Sequence, residues 1–185
     1  MDLIVKDFRV YHISKKLARP LPNAVYSLEY IEHVFLELDT EEYTGVGMAY
    51  TFNPDQAEAM KVLVEGYCRA LRGKDPAYVR RYWNEAQGTM GGCGQTGLAM
   101  SAYAAVDTAL WDLIAQEAGK PLYKLLGART DTLPVYGSGG WLVPQQEMIE
   151  EALWFKSQGY TRYKLKLGFP DPREDLRRLE ALRRA

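Results

Sequence analysis

Apolar residues in this chain recur with period two over the first fifty residues, with a helical period from Asn53 to about residue 126, and then in alternating strand-like and helix-like stretches after Thr130. That order fits an α+β segment followed by βα units. Phe8 and Val10 alternate with polar neighbours, as do Tyr26, Leu28 and Tyr30, then Val34, Leu36 and Leu38. Asp39 to Glu42 makes a polar turn before Tyr43 to Tyr50, so a three-stranded antiparallel meander is expected. Between its first two strands lies KKLARPLPNA, whose two prolines cannot feed a ladder and which reads as a surface loop.

Helices follow. Asn53-Pro54-Asp55-Gln56 is a capping box with proline at the first helical position, and Ala57, Met60, Val64, Cys68 and Leu71 recur on one face until Gly73. Asp75-Pro76 repeats the start signal. A third helix is expected from Gln95 to Ala118, with Leu98, Ala102, Ala105, Ala109, Leu110 and Leu113 on one face, stopped by Gly119 and Pro121.

After Thr130, LPVYGSG reads as a short strand, Pro144 to Gln158 as an amphipathic helix, and TRYKLKLG as a second strand. Asp171-Pro172-Arg173-Glu174 is another capping box, opening a helix with Leu176, Leu179 and Leu182 inward. A crossover of roughly twenty residues between the strands is the grammar of parallel βα units. A closed barrel of eight such units needs ~250 residues, whereas 55 residues follow Thr130. The fold expected is therefore an α+β domain over residues 1–130 and the first two βα units of an incomplete (β/α) barrel of the TIM type over 131–185. The chain reads as the front portion of a larger, truncated protein.

Composition narrows the partners. Twenty-three Lys+Arg against 24 Asp+Glu leave a formal charge of −1, so neither nucleic acid nor an anionic membrane is expected, because both need a clustered positive field. The basic cluster in the last helix is interleaved with acids and reads as a solvated face. No apolar run approaches the ~20 residues of a membrane helix and no signal peptide opens the chain, so a cytoplasmic protein is expected. Cys68 and Cys93 lack a second ligand at metal spacing and read as buried thiols.

Gly92-Cys93-Gly94-Gln95-Thr96-Gly97 matches the dinucleotide-binding pattern but follows a helical stretch, whereas that fingerprint must follow a strand. His12 and His33 sit in strand patterns and read as structural. Asp107 and Asp112 read as ordinary helix carboxylates. The informative motif is Tyr163-Lys164-Leu165-Lys166-Leu167-Gly168. Residues two apart on a strand share a face, so Lys164 and Lys166 project together while Tyr163, Leu165 and Leu167 face covering helices. In a barrel interior the two ammonium groups would repel and one pKa would fall toward neutrality, as a general base requires. On an edge strand they would be two solvated lysines.

The run AVDTALWDLIAQEAGKPLYKLLGA, followed by LPVYGSGGW and YKLKLG, resembles the mandelate racemase and muconate-lactonising branches of the enolase superfamily, over essentially the whole chain. The resemblance implies a cap domain on a barrel that abstracts the proton α to a carboxylate, with Mg²⁺ stabilising the enediolate. It assigns Lys166 as acid or base on one face of the substrate, and Lys164 as the neighbour that lies near the substrate carboxylate and lowers the Lys166 pKa. It places Ser138 at the carboxylate. Two cap loops, Lys15 to Val25 and Tyr50 to Asp55, would choose the substrate, with Arg19 meeting a second anionic group and Asn23 or Phe52 lining the pocket. The metal ligands of the family fall on later barrel strands, so none is expected in this chain, which alone would be inactive.

The function expected of the complete protein is acid-sugar dehydration or hydroxy-acid racemisation. The alternatives are a muconate-lactonising type of cycloisomerase or epimerase, and a non-catalytic protein that binds a partner through an open sheet edge. A small-molecule carboxylate substrate and a homo-oligomer complete the expected partners.

Overall fold

The computed structural model describes residues 3–92 and 94–185. It divides into two compact units. One comprises the chain up to Lys16 together with Tyr30–Arg129, and the other Leu17–Glu29 with Thr130–Ala185.

In the first unit, strands β1 (Asp7–Pro22), β2 (Ser27–Asp39) and β3 (Thr44–Thr51) lie in the order β1-β2-β3. β2 and β3 pair antiparallel, with Leu36 opposite Gly47 and Leu38 opposite Gly45. The alternation turns Val34, Leu36 and Leu38 inward, all fully buried. Helix α1 (Pro54–Arg69) starts where the capping box requires, the Asn53 side chain accepting from Gln56 N–H at 3.1 Å. Asp75 accepts from Ala77 N–H and opens a 3₁₀ turn, Pro76–Tyr78, that runs into α2 (Val79–Thr89).

Helix α3 (Leu98–Glu117) is the core of this unit and packs on β3 and α1. It starts three residues later than the sequence suggests, with Gly97 as its N-cap at a positive φ of 69°. Ala102, Ala105, Ala109, Leu110 and Leu113 are buried on its inner face as the periodicity requires. The contact is backbone against backbone: a Cβ on Gly47 would fall 1.8 Å from the Ala105 carbonyl oxygen. Among the described residues α3 alone is long and apolar enough to cross a membrane, with mean hydropathy 1.2 over 18 residues. This amends the expectation that no run approaches that length; half of the window is buried inside the protein, as befits a core helix. Asp112 accepts from Val46 N–H at 2.9 Å and from Gln116, whereas burial pushes the Asp107 carboxyl up. Cys68 is a buried free thiol, and Cys93 lies outside the described residues.

Two expectations about the cap loops are corrected. The stretch from Lys15 is no loop but a continuation of β1 to Pro22, leaving a turn at Asn23–Tyr26. β1 is the edge strand, where a proline with no N–H to give costs the ladder nothing. Similarly β3 runs to Thr51 and α1 begins at Pro54, so only Phe52 and Asn53 connect them.

The second unit holds the tip of the β1–β2 hairpin, strand β4 (Gly137–Ser138), helix α5 (Gln145–Ser157), strand β5 (Tyr163–Lys164) and helix α6 (Pro172–Arg184). A short helix, α4 (Leu122–Leu125), precedes it in the first unit. β4 and β5 pair in parallel, as the crossover requires, but each is two residues long where seven or eight were expected. Among the described residues no further strand pairs with either one. Fully buried side chains are few here, and Leu133, Val135, Trp154, Leu167 and Leu176 stay exposed. The expected inward Leu176 is thus corrected. Arg178 is buried instead, at 1% exposure, while the neighbouring Arg177 stays on the solvated face.

Candidate active site

The two lysines of the K-x-K motif lie on β5 and its extension. The register sets Gly137 beside Tyr163 and Ser138 beside Lys164. Gly137 N–H donates to Arg162 at 2.9 Å and Lys166 N–H to Gly140 at 2.8 Å, carrying the ladder past the regular strand. The pleat therefore gives Ser138, Lys164 and Lys166 one face and Gly137, Gly139 and Tyr163 the other.

Helix α5 covers the second face. The Tyr163 hydroxyl donates to Glu151 at 2.5 Å and its ring meets Phe155 at 5.8 Å. The same Glu151 oxygen accepts from Gly140 N–H at 2.7 Å. Gly139 lets that carboxylate reach the strand, because a Cβ there would fall 2.1 Å from it. Burial and the bond to Glu151 both push the Tyr163 hydroxyl up, so it stays a proton donor.

On the first face Ser138 and Lys164 are exposed and Lys166 is half-buried. The Lys166 ammonium lies 4.8 Å from the centre of the Trp141 ring. Burial is the main cause holding Lys166 below the ordinary lysine range, and the neighbouring Lys164 ammonium adds to it. A cation over an indole face is stabilised as a cation, so Trp141 covers the amine and partly offsets the effect of covering it. A half-buried amine of lowered basicity beside an exposed cation is equipped to exchange a proton with a bound anion.

Trp141 was not anticipated, and neither were the groups that hold it. Two backbone carbonyls of its loop accept from the Arg178 guanidinium, Trp141 O from Nη2 at 3.0 Å and Val143 O from Nη1. Phe169 lies beneath the guanidinium with its ring centre at 4.9 Å. The signal was faint: Arg178 stands among five arginines in one helix, and only its contacts with residues some 35 positions away distinguish it.

The other expected residues fall in different settings. Arg19, on the last part of β1, forms an ion pair with Glu147 in the first turn of α5, and that pairing pushes the Glu147 carboxyl down. The Asn23 side chain accepts from the N–H groups of Val25 and Tyr26, at 2.8 and 3.0 Å, and so shapes the hairpin turn. Phe52, in the first unit, packs edge-on against Tyr50 at 5.6 Å. His12 bridges two carboxylates and His33 stacks on Phe35.

Comparison with known proteins places these features in a family. The model of the mandelate racemase / muconate lactonizing enzyme N-terminal domain matches residues 6–127. A 3,6-anhydro-alpha-L-galactonate cycloisomerase of Streptomyces coelicolor is 35% identical over 78% of this chain and 40% of its own length. An L-talarate/galactarate dehydratase of Salmonella typhimurium is 33% identical over 77% of this chain and 36% of its own. The crystal structure of that dehydratase with Mg and L-lyxarohydroxamate superposes with a TM-score of 0.92, at 27% identity, over 99% of this chain and 49% of the other. The chain thus spans about half the length of that structure, and less of the two curated relatives.

Among the described residues no group of three His, Cys, Asp or Glu side chains converges. The described residues do not fit Mg²⁺. The motif run, the antiparallel cap with its core helix, and the matched domain agree, and the chain belongs to the mandelate racemase / muconate lactonizing enzyme family of the enolase superfamily.

Proposed function

We propose that this chain is the capping domain, residues 1–130, and the first two βα units, residues 131–185, of a (β/α)-barrel enzyme that abstracts the proton α to a carboxylate, most readily an acid-sugar dehydratase. The observation that carries the reading is the shared face of Lys164 and Lys166, with Lys166 half-buried and of lowered basicity. Lys166 as the neutral amine takes the α-proton onto Nζ. Lys164, exposed and cationic, meets the substrate carboxylate, and Ser138 beside it in the register donates to the same group. Arg19 would serve a diacid by exchanging Glu147 for the substrate's distal carboxylate. Asn23 would contribute through the turn it shapes. Metal ligands would come from parts of the enzyme beyond the residues described here, so the chain alone is inactive.

The dehydration reading draws on the dehydratase relative, and galactarate and L-talarate are the first substrates to try. Cycloisomerisation is the second reading, favoured by the 35% identical cycloisomerase. The residue that faces Lys166 across the barrel of the complete enzyme separates the two.

The test is solvent-deuterium exchange into the α-position of acid sugars by the complete enzyme, followed by mass spectrometry. Lys166→Ala should abolish exchange from one stereoisomer while Mg²⁺ remains bound, since the metal's ligands are carboxylates elsewhere. Exchange at the native rate in Lys166→Ala, on a substrate the native enzyme turns over, rules out Lys166 as the base.

A further inference from the structure

The geometry points to Arg178 as a positioning residue for Lys166: its buried guanidinium grips the carbonyls of Trp141 and Val143 and thereby keeps the Trp141 indole over the Lys166 amine. This rests on the reading of Lys166 as the base, which gives the cover over its amine a purpose.

Three observations carry it. First, Arg178 is 1% exposed on a helix whose other arginines are solvated. Burying a guanidinium costs several kcal/mol unless its donors are used. No carboxylate lies within ion-pairing distance of it among the described residues; its two terminal nitrogens go to backbone carbonyls two residues apart, while its Nε has no hydrogen-bond partner. A leucine would fill the same place on the helix stripe without that cost. The rigid fork of the guanidinium can hold two acceptors at once, which an ammonium does less well.

Second, the gripped segment is the one that touches Lys166 twice. Gly140 accepts from the Lys166 backbone, and Trp141 covers the Lys166 side chain. The loop has further anchors in Glu151, which accepts from Gly140 N–H, and Pro22, which accepts from Leu142 N–H at 3.0 Å. The carbonyl of Trp141 itself accepts from Val143 N–H at 2.7 Å within the loop and from Arg178, the side chain that ties it to α6.

Third, burial is the leading cause of the lowered basicity of Lys166, ahead of Lys164 on its own strand. The charged group acting on the amine is Lys164 from β5; Glu151 from α5 is bonded to Gly140 and Tyr163 on the other face of the strand. Loosening the loop admits water to the amine while leaving the Lys164 charge in place.

The experiment is competitive acetylation of this chain across pH 7 to 11, with each lysine read by mass spectrometry. Trp141→Ala should move the Lys166 titration upward, cutting the neutral amine at fixed pH about threefold or more. Arg178→Met should move it in the same direction, and Arg178→Lys, which keeps one donor, by less. If Arg178 acts through Trp141, the double variant should match Trp141→Ala alone, whereas a merely structural role would add a further change. An unmoved Lys166 titration in Trp141→Ala overturns the proposal, and so does an unmoved titration in Arg178→Met with native far-UV circular dichroism. Should Arg178→Met fail to fold, Trp141→Ala and Arg178→Lys decide. The readout is the amine of this chain and needs no turnover, so a failed exchange test of Lys166 as base leaves it intact and separately scored.

Discussion

His12 Nε2 lies 2.6 Å from Oε2 of Glu32, a carboxylate only 1% exposed on the inward face of β2. The other ring nitrogen lies 2.8 Å from Glu58 of α1, and Ser14 donates to the second Glu32 oxygen at 3.0 Å. Only the imidazolium has a proton for both carboxylates, so the bond to Glu58 first, and then that to Glu32, raises the His12 pKa. A group whose folded pKa is raised contributes stability that is fully present below its unfolded value and lost as pH climbs through the folded value. The loss should therefore begin above about pH 6.5. Two charge-assisted bonds to a partly exposed ring are worth about 1–2 kcal/mol. Urea midpoints should fall between pH 6 and 9 in the native sequence and stay flat in His12→Gln. Parallel slopes for the two proteins would dismiss the clasp.

Gly47 and Gly45 set the distance between β3 and α3. A Cβ on Gly47 would lie 1.8 Å from Ala105 O, and neither backbone can give way. Gly47→Ala should cost about 3 kcal/mol or more, beyond ordinary overpacking. Gly66→Ala is the matched control, since it sits inside α1 with Arg69 Nη2 at 3.7 Å as the nearest atom. That change should be neutral or stabilise by up to about 1 kcal/mol. Denaturant unfolding of both variants checks the contrast, and equal effects would refute the close-approach argument.

Cys68 lies inside the first unit with its thiol pushed up to about 12 by burial. The thiolate is the reactive form, so native Cys68 should resist alkylation at pH 8. In a Cys93→Ser background, iodoacetamide should label Cys68 only at the rate of unfolding, and urea should accelerate labelling by orders of magnitude. Rapid native labelling would show an accessible thiolate instead.

The cap was legible because its signals are local. The capping box at Asn53, the alternation of Val34, Leu36 and Leu38 and the small-residue face of α3 each depend on neighbours in sequence. Pro20 and Pro22 misled because a proline is barred only from an inner strand, and nothing local marks β1 as an edge. Period two placed Lys164 and Lys166 on one face, but the cover over Lys166 comes from Trp141, and the Trp141 loop is held by Arg178 of α6. Arg177 and Arg178 are adjacent and chemically identical, and one helical step of about 100° divides solvent from interior. Which arginine turns inward depends on where the loop carbonyls lie, and that is fixed only once β4 and β5 have paired.

Lys164 and burial act on Lys166 in the same direction, and their order can be tested. Burial is the larger cause and the neighbouring ammonium the smaller. Lys164→Met removes the charge with little change of length and leaves Trp141 in place. The Lys166 titration should then rise only part of the way, remaining below the ~10.4 of a free lysine. Trp141→Ala leaves the charge and removes the cover, and should raise it further. Because the ammonium of Lys164 is exposed, its effect should shrink in 1 M salt, where the screening length is ~3 Å. The contribution of burial should not respond to salt. Lysine-resolved labelling at low and high salt measures both. A full return to the ordinary range in Lys164→Met would mean that charge repulsion, rather than the cover of Trp141, sets the basicity of Lys166.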